Sequence, residues 1–406
     1  MYGLLGQRLN HSLSPQIHSY FGDYDYSLFC REKNELDEFF NDKKINAFNV
    51  TIPYKVEAYN RCDFLSETAK EIGSVNTVVR KDGKLFGYNT DLFGFEYLCR
   101  KTDTDFEGKK VLILGSGGAS KTVIAAAKKH RAKEIVIVSR SGENNYTNIY
   151  KNFDAQIIVN TTPVGMFPDN GKSPVNLSDF KNVQSVLDLI YNPLKTQLLI
   201  DAESLGISSG NGLYMLIAQG LRSSEIFFDR KYDYSIIDNV YSKLLNEKRN
   251  IVLIGMPGCG KSTVGKIIAQ KLGKSFADTD EKSAQICSKK ISEIFEENGE
   301  DFFRNLEEKV CADIGKNLGF VIATGGGSVL RKSNRNALGQ NAVVVYLKKD
   351  LLKLARFDRP LSRDYETVKK LYAQRKEIYE SFADHEIEVD ENPQITAERV
   401  IKCVSL

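Results

Sequence analysis

The strongest constraint on this chain lies between Asn250 and Gly273, where the apolar run NIVLI breaks into GMPGCGKST and continues as the amphipathic STVGKIIAQKLG. Gly255, Gly260, Lys261 and Ser262 satisfy the spacing G-x-x-x-x-G-K-[ST]. In a strand, loop and helix setting, successive backbone N–H groups wrap phosphates, the lysine reaches the terminal phosphates and the hydroxyl holds magnesium. The segment predicts ATP or GTP binding, with Gly258, Gly260, Lys261, Ser262 and Thr263 as nucleotide contacts. It also commits this part of the chain to an α/β fold with a parallel sheet.

A second glycine turn, ILGSGGASKTV from Ile113, places Gly115, Gly117 and Gly118 between an apolar strand and a helix, with Ser120 where a dinucleotide fingerprint has its third glycine. Such a turn lets backbone N–H groups and the helix dipole meet a pyrophosphate. The next strand, EIVIVSR, ends on Ser139 and Arg140, where an NAD site carries an acidic residue for the ribose hydroxyls. Arginine suits a 2′-phosphate, so NADP is favoured over NAD. A glycine turn of some other α/β protein and a solvated surface arginine are the plain structural readings of these two segments taken alone.

Short apolar runs alternate with helical patterns through KKVLILG, ASKTVIAAAKK, EIVIVSR, AQIIVNTT and SVLDLIY, and the alternation restarts at RNIVLIG. A length of 406 residues exceeds what one core usually organises. The boundary falls near Glu247 to Asn250, where the helical SIIDNVYSKLLNEK ends without a Pro/Gly/Ser-rich linker. The expected division is 1–246 and 250–406, with the first part split into about 1–100 plus 213–246 and about 101–212.

The 56 basic and 53 acidic residues leave a net charge of +3 with no long basic run, which argues against nucleic acid as a partner. Seven cysteines without a C-x-x-C pair predict a reduced, cytoplasmic protein without structural zinc. The absence of a basic leader and of any run of eighteen apolar residues predicts neither secretion nor membrane insertion. Assembly into a homo-oligomer is left open.

Seven ordered motifs sharpen the first part: GQRLNHSLSPQIH, NVTIPYK, GSVNTV, GYNTDLFG, NTTPVGM, YNPLKTQLL and GLYMLIAQG. Together they resemble shikimate dehydrogenase over residues 1 to 245. The resemblance implies a substrate domain beside a Rossmann-like NADP domain, and reduction of 3-dehydroshikimate with NADPH. The implied substrate contacts are Ser12, Ser14, Thr51, Asn76, Asn89, Tyr191 and Gln219. Read physically, hydroxyls at Ser12 and Ser14 suit a carboxylate, while Thr51, Asn76, Asn89 and Gln219 suit ring hydroxyls. Ser14, followed by Pro15, equally fits a helix N-cap. The implied catalytic pair is Lys55 and Asp91, because reduction of a ketone builds negative charge on its oxygen and needs a proton. The implied cofactor contacts are Gly115, Gly117, Gly118, Ala119, Ser139, Arg140 and Gly212. Arg8, Ala47 and Ser139 depart from the residues usual in that family.

From residue 250 onward, FADTDEKS, NGEDFFRNLEEKV, ATGGGSVL, RPLS and QRKEIYESFAD follow the phosphate loop in order, and this part resembles shikimate kinase. The resemblance implies a nucleoside-monophosphate-kinase-like fold, ATP with Mg2+, and Asp280, Arg304, Gly325, Gly326, Gly327 and Arg375 as shikimate contacts. Lys261, Asp280 and Arg359 are then catalytic, and Ser262 and Asp278 hold the metal. The segment from Val343 to Arg359 is shorter than the usual lid, which bears on Arg356 as an adenine contact. The chain as a whole is expected to be a bifunctional enzyme that makes shikimate and phosphorylates it. The alternatives are a quinate-preferring dehydrogenase or a non-catalytic sensing module, fused to a kinase for another small polyol such as gluconate.

Overall fold

The computed structural model describes residues 1–9, 12–354 and 365–405. Among the described residues, sixteen strands form three sheets. The first sheet contains β1 (Tyr2–Gly6), β2 (Tyr26–Cys30), β3 (Ala47–Val50), β4 (Phe64–Leu65), β5 (Thr77–Lys81) and β6 (Lys84–Tyr88), in the order β2-β1-β3-β5-β6-β4. It is mixed, since β5 runs antiparallel to β3 and to β6. The turn between β5 and β6 explains this locally. Asp82 and Gly83 both have positive φ, 51° and 78°, the pairing that a tight two-residue hairpin demands.

The second sheet is all parallel: β7 (Lys110–Leu114), β8 (Glu134–Val138), β9 (Ile157–Asn160), β10 (Ser185–Asp188) and β11 (Ser208–Asn211), in the order β11-β10-β9-β7-β8. The chain leaves β7 for β8 on one side and later returns to β9 on the other. The strand order therefore reverses beside the carboxyl end of β7, where open α/β sheets bind ligands. Gly115 follows immediately, and the helix Gly118–Lys129 opens three residues later.

The third sheet is also parallel: β12 (Asn250–Ile254), β13 (Ser275–Asp278), β14 (Phe320–Ala323), β15 (Ala342–Lys348) and β16 (His385–Glu388), in the order β13-β14-β12-β15-β16. All five residues of β12 are buried, as expected of a central strand covered on both faces. Its core includes Val252, Leu253, Ile268, Val321, Ile322 and Val345.

Contacts divide the chain into two compact units, one of Met1–Met166, Lys172–Tyr191 and Leu198–Ser242, the other of Phe167–Gly171, Asn192–Gln197 and Lys243–Leu406. The cut falls within the helix Ser235–Lys248, which is followed by a single residue before β12. The assignment of the two short segments, 167–171 and 192–197, to the second unit departs from a division at one point in the sequence. Contacts sort loops by what they pack against, which a linear reading of charge and polarity does not register. No helix among the described residues is long and apolar enough to cross a membrane.

Candidate active sites

Lys55 opens the helix Lys55–Arg61 directly after β3 and the turn Thr51–Tyr54, in which the Tyr54 N–H bonds the Thr51 carbonyl at 2.9 Å. Asp91 opens the helix Asp91–Lys101, where the dipole favours a carboxylate by about 0.3–1 kcal/mol. Lys55 Nζ donates to Asp91 Oδ2 at 2.6 Å. The lysine side chain is 23% exposed and the aspartate 10%, so the pair is sheltered yet open on one side.

The second carboxylate oxygen is held as well. Asn76 Nδ2 donates to Asp91 Oδ1 and to Thr90 Oγ1, both at 2.9 Å, while Asn76 Oδ1 accepts the Thr90 N–H at 2.7 Å. Asn89 Oδ1 accepts the Asp91 N–H at 3.0 Å, and its amide donates to the Ser74 carbonyl and hydroxyl. Asn76 thus braces the carboxylate and Asn89 the backbone of Asp91, in addition to the ring-hydroxyl contacts expected of them.

Gln219 reaches this cluster from the helix Leu213–Phe228, its Oε1 lying 3.4 Å from Asn76 Nδ2. Gly94 permits the approach, because a Cβ there would stand 2.5 Å from the Met215 carbonyl oxygen on that helix. Thr51 ends next to β1, its N–H bonded to the Leu5 carbonyl at 2.9 Å. Ser12 and Ser14 lie after β1, and the Ser12 hydroxyl accepts the Ser14 N–H at 3.2 Å. The cap reading of Ser14 is corrected: the helix Ser14–Ser19 has Leu13 as its N-cap, with no side-chain cap hydrogen bond, and Ser14 is its first residue.

Behind the pair runs a buried polar network that the sequence reading missed. Asn49 Nδ2 bonds Ser223 Oγ at 2.8 Å and Thr77 Oγ1 at 3.1 Å, and Ser223 Oγ meets Thr90 Oγ1 at 3.1 Å. Asn49 Oδ1 accepts from Tyr26, which stacks on His18 with ring centroids 3.9 Å apart. Burial drags the His18 ring down to about 3, so it stays a neutral member of the network at physiological pH. The signal was present in AFNV, a polar side chain inside a wholly buried strand, which must find partners.

At the end of β7, Gly115 has φ 106°, and a Cβ on it would lie 2.7 Å from Thr161 Oγ1. At Gly117 and Gly118 a Cβ would meet nothing within 4 Å, so the helix mouth, with Ala119 in its first turn, is open to a phosphate-sized group. Ser120 turns inward, donating to the Gly117 carbonyl at 2.6 Å. Ser139 and Arg140 follow β8, and Arg140 is exposed. Gly212 fits tightly against the backbone of Leu189, where any Cβ would clash. Tyr191 lies two residues beyond that point, and burial raises its hydroxyl pKa. These residues fit a dinucleotide bearing an extra phosphate.

In the second unit, Gly255, Gly258 and Gly260 take φ of 140°, 85° and 106°, a loop that side chains would strain. Lys261 Nζ crosses back over it to the Gly255 and Met256 carbonyls at 2.9 and 3.0 Å. Ser262 Oγ donates to Asp278 Oδ2 at 2.6 Å, the hydroxyl and carboxylate that a hydrated magnesium would join. Asp278 Oδ1 also caps the helix Thr279–Cys287, accepting from the Asp280 and Glu281 amides. Thr263 is exposed in the next turn.

Gly325, Gly326 and Gly327 form a floor that no side chain would leave open. A Cβ on Gly325 would lie 2.5 Å from Asp280 Oδ1, one on Gly326 2.5 Å from the Pro257 ring, and one on Gly327 2.5 Å from Arg304 Nη2. Arg304 Nη1 donates to Glu307 Oε2 at 2.7 Å, and Glu307 Oε1 accepts from Ser328 at 2.5 Å. Arg375 is 4% exposed, yet its Nε has no partner among the described residues. A buried guanidinium nitrogen left unpaired beside Tyr379 is a place for an anionic oxygen. Arg356 and Arg359 lie outside the described residues.

Comparison with known proteins supplies the chemical context. Residues 4–78 match the family model described as shikimate dehydrogenase substrate binding domain, and residues 257–405 match that described as shikimate kinase. Shikimate dehydrogenase (NADP(+)) of Clostridium perfringens strain SM101 is 37% identical over 266 residues, spanning 60% of this chain and 98% of the relative. The corresponding protein of Methanococcus vannielii is 36% identical over 277 residues, with 60% and 97% covered. Among solved structures, a chorismate mutase/shikimate 5-dehydrogenase fusion protein from Clostridium acetobutylicum superposes with TM-score 0.57 at 37% identity, covering 60% of this chain and 96% of that one. The Thermus thermophilus shikimate 5-dehydrogenase in complex with NADP(H) and shikimate gives TM-score 0.55 at 28% identity, covering 60% and 98%.

Proposed function

We infer that this chain, which belongs to the shikimate dehydrogenase family and carries a shikimate kinase domain at its C-terminal end, joins two consecutive enzymes in one polypeptide. The first reduces 3-dehydroshikimate to shikimate and the second phosphorylates shikimate at its 3-hydroxyl. The observation that carries this reading is the 2.6 Å Lys55–Asp91 pair on the same chain as an arginine-flanked glycine floor behind a complete phosphate loop. Both arrangements suit a small hydroxylated carboxylate. The domain bounds that fit this reading are 1–246 and 250–406, with the substrate part about 1–100 plus 213–246 and the NADP part about 101–212. Residence in the cytoplasm belongs to the same reading, which holds for a monomer and for a homo-oligomer alike.

Ser12, Ser14, Thr51, Tyr191 and Gln219 are assigned to the substrate, and Asn76 and Asn89 both to it and to Asp91. When bound, NADPH supplies the hydride and ATP with Mg2+ the phosphoryl group. Lys55 donates a proton to the carbonyl oxygen as charge builds there, and Asp91 holds the ammonium in place. In the kinase half, Arg304 and Arg375 clamp the carboxylate while Asp280 orients and accepts the proton of the attacking hydroxyl. Lys261 offsets the charge on the transferred phosphate, and Ser262 with Asp278 positions the metal.

The test is to incubate the full chain with 3-dehydroshikimate, NADPH, ATP and magnesium and to quantify shikimate and its 3-phosphate by mass spectrometry. Phosphorylated product that requires both nucleotides is expected. Shikimate that accumulates unphosphorylated removes the kinase assignment, and unreduced substrate removes the dehydrogenase assignment. For the cofactor, Arg140→Ala raises the KM for NADPH by about 10- to 100-fold, the scale of one charged hydrogen bond. The KM for NADH stays the same. Equal rises for both cofactors would take the 2′-phosphate away from Arg140.

A further inference from the structure

We propose that Glu300 is a built-in stand-in for the substrate carboxylate, holding Arg304 until the substrate's own carboxylate displaces it. The inference rests on the kinase reading above. Arg304 is held by two carboxylates. Its Nη1 donates to Glu307 at 2.7 Å, while Nε and Nη2 both donate to Glu300 Oε1, at 3.2 and 3.0 Å.

The two partners differ in kind. Glu307 is 1% exposed and anchored again by Ser328, so it is a fixed counter-ion. Glu300 is 51% exposed, and the residue before it, Gly299, breaks the helix Ile291–Gly315 with φ 80° and ψ 171°. It therefore sits at the start of a separate helical stretch, next to a backbone joint that only glycine adopts readily.

The bonding geometry argues for displacement. The Nε/Nη2 edge of a guanidinium is matched by two carboxylate oxygens in parallel, and Glu300 offers it one oxygen for both nitrogens. A ligand carboxylate that brings two oxygens to that edge makes the better fork. Charge agrees with this. Glu300 and Glu307 already balance the charges of Arg304 and of Arg375, the second guanidinium assigned to the ligand, so a third carboxylate on Arg304 is favoured when one of the two leaves. The half-exposed glutamate, whose hold in solvent is weak, is the one to go. Glu300 thereby sets the threshold that a ligand must pass: a neutral or single-oxygen ligand does not displace it.

The experiment measures kinase KM for shikimate and for its methyl ester in the full chain and in the variants E300Q and E300A, with thermal unfolding of the full chain as the check that the variants are folded. Both variants are expected to lower the shikimate KM about three- to fivefold, with kcat within about twofold, as one half-exposed competing anion is lost. The methyl ester, which brings no charge, shows no such gain. An unchanged or raised shikimate KM in E300Q overturns the proposal, because Glu300 would then orient Arg304 or do nothing. A gain of equal size for the methyl ester overturns it too. Failure of the parent chain to phosphorylate shikimate at all overturns the kinase reading and this inference together.

Discussion

Replacing Lys55 by alanine lowers kcat for 3-dehydroshikimate reduction by about a thousandfold, while the kinase activity of the same polypeptide stays within about twofold. The size follows from what is removed: a proton donor at the reacting oxygen, worth about 10²–10⁴ in rate, that also stabilises the developing charge. Truncation leaves Asp91 without its ammonium partner at 2.6 Å, with Asn76 still on the other oxygen. Substrate KM is expected to change far less than kcat, since the hydroxyl and carboxylate contacts are contributed by other residues. The kinase half serves as the internal control for concentration, and thermal unfolding of the full chain as the control for folding. Steady-state assays of both activities on one preparation decide the matter. A variant that keeps more than about a tenth of the parent kcat would remove Lys55 from the chemistry, because no general acid contributes so little.

Much of the architecture was legible because it rests on local rules. Glycines at positive φ after an apolar strand mark both nucleotide turns, and the strand β12 with the helix Lys261–Leu272 falls where NIVLI and STVGKIIAQKL place them. The helix Ser235–Lys248 matches the SIIDNVYSKLLNEK pattern end to end. What stayed hidden depends on long-range pairing. The mixed first sheet arises from the hairpin at Asp82–Gly83 and from the antiparallel pairing of β5 with β3, and its order places β1 between β2 and β3; periodicity along the chain encodes neither. Asn49, Thr77 and Ser223 come from three elements and meet only after folding. Their residue types are unremarkable in sequence, and their burial is what turns them into a network that holds Asn76 and Thr90 beside Asp91. Glu300 was equally silent, because an i,i+4 Glu–Arg pair on a helix is ordinarily surface decoration.

In the other half of the chain, Lys261→Met is expected to lower phosphorylation of shikimate by about a thousandfold or more, with the dehydrogenase unaffected. Methionine keeps the length and apolar stem of the side chain and deletes its charge, so the loop itself is retained. The ammonium lies against the carbonyls of Gly255 and Met256, at 2.9 and 3.0 Å, and the residue is 8% exposed. A cation held that closely over the loop needs little rearrangement to meet the terminal phosphates. Positioning and charge neutralisation supply nearly all of phosphoryl-transfer catalysis, and for a comparable cation, an arginine finger, they amount to about 10³–10⁵ in rate. Because the backbone amides still cradle the nucleotide, binding of a non-hydrolysable ATP analogue, read by calorimetry on the full chain, is expected to weaken by no more than about tenfold. That contrast separates a role in the transition state from a role in binding. A loss confined to nucleotide affinity, with kcat intact at saturating ATP, would assign Lys261 to holding the ground state and leave the charge on the transferred phosphate to Arg359 and the metal.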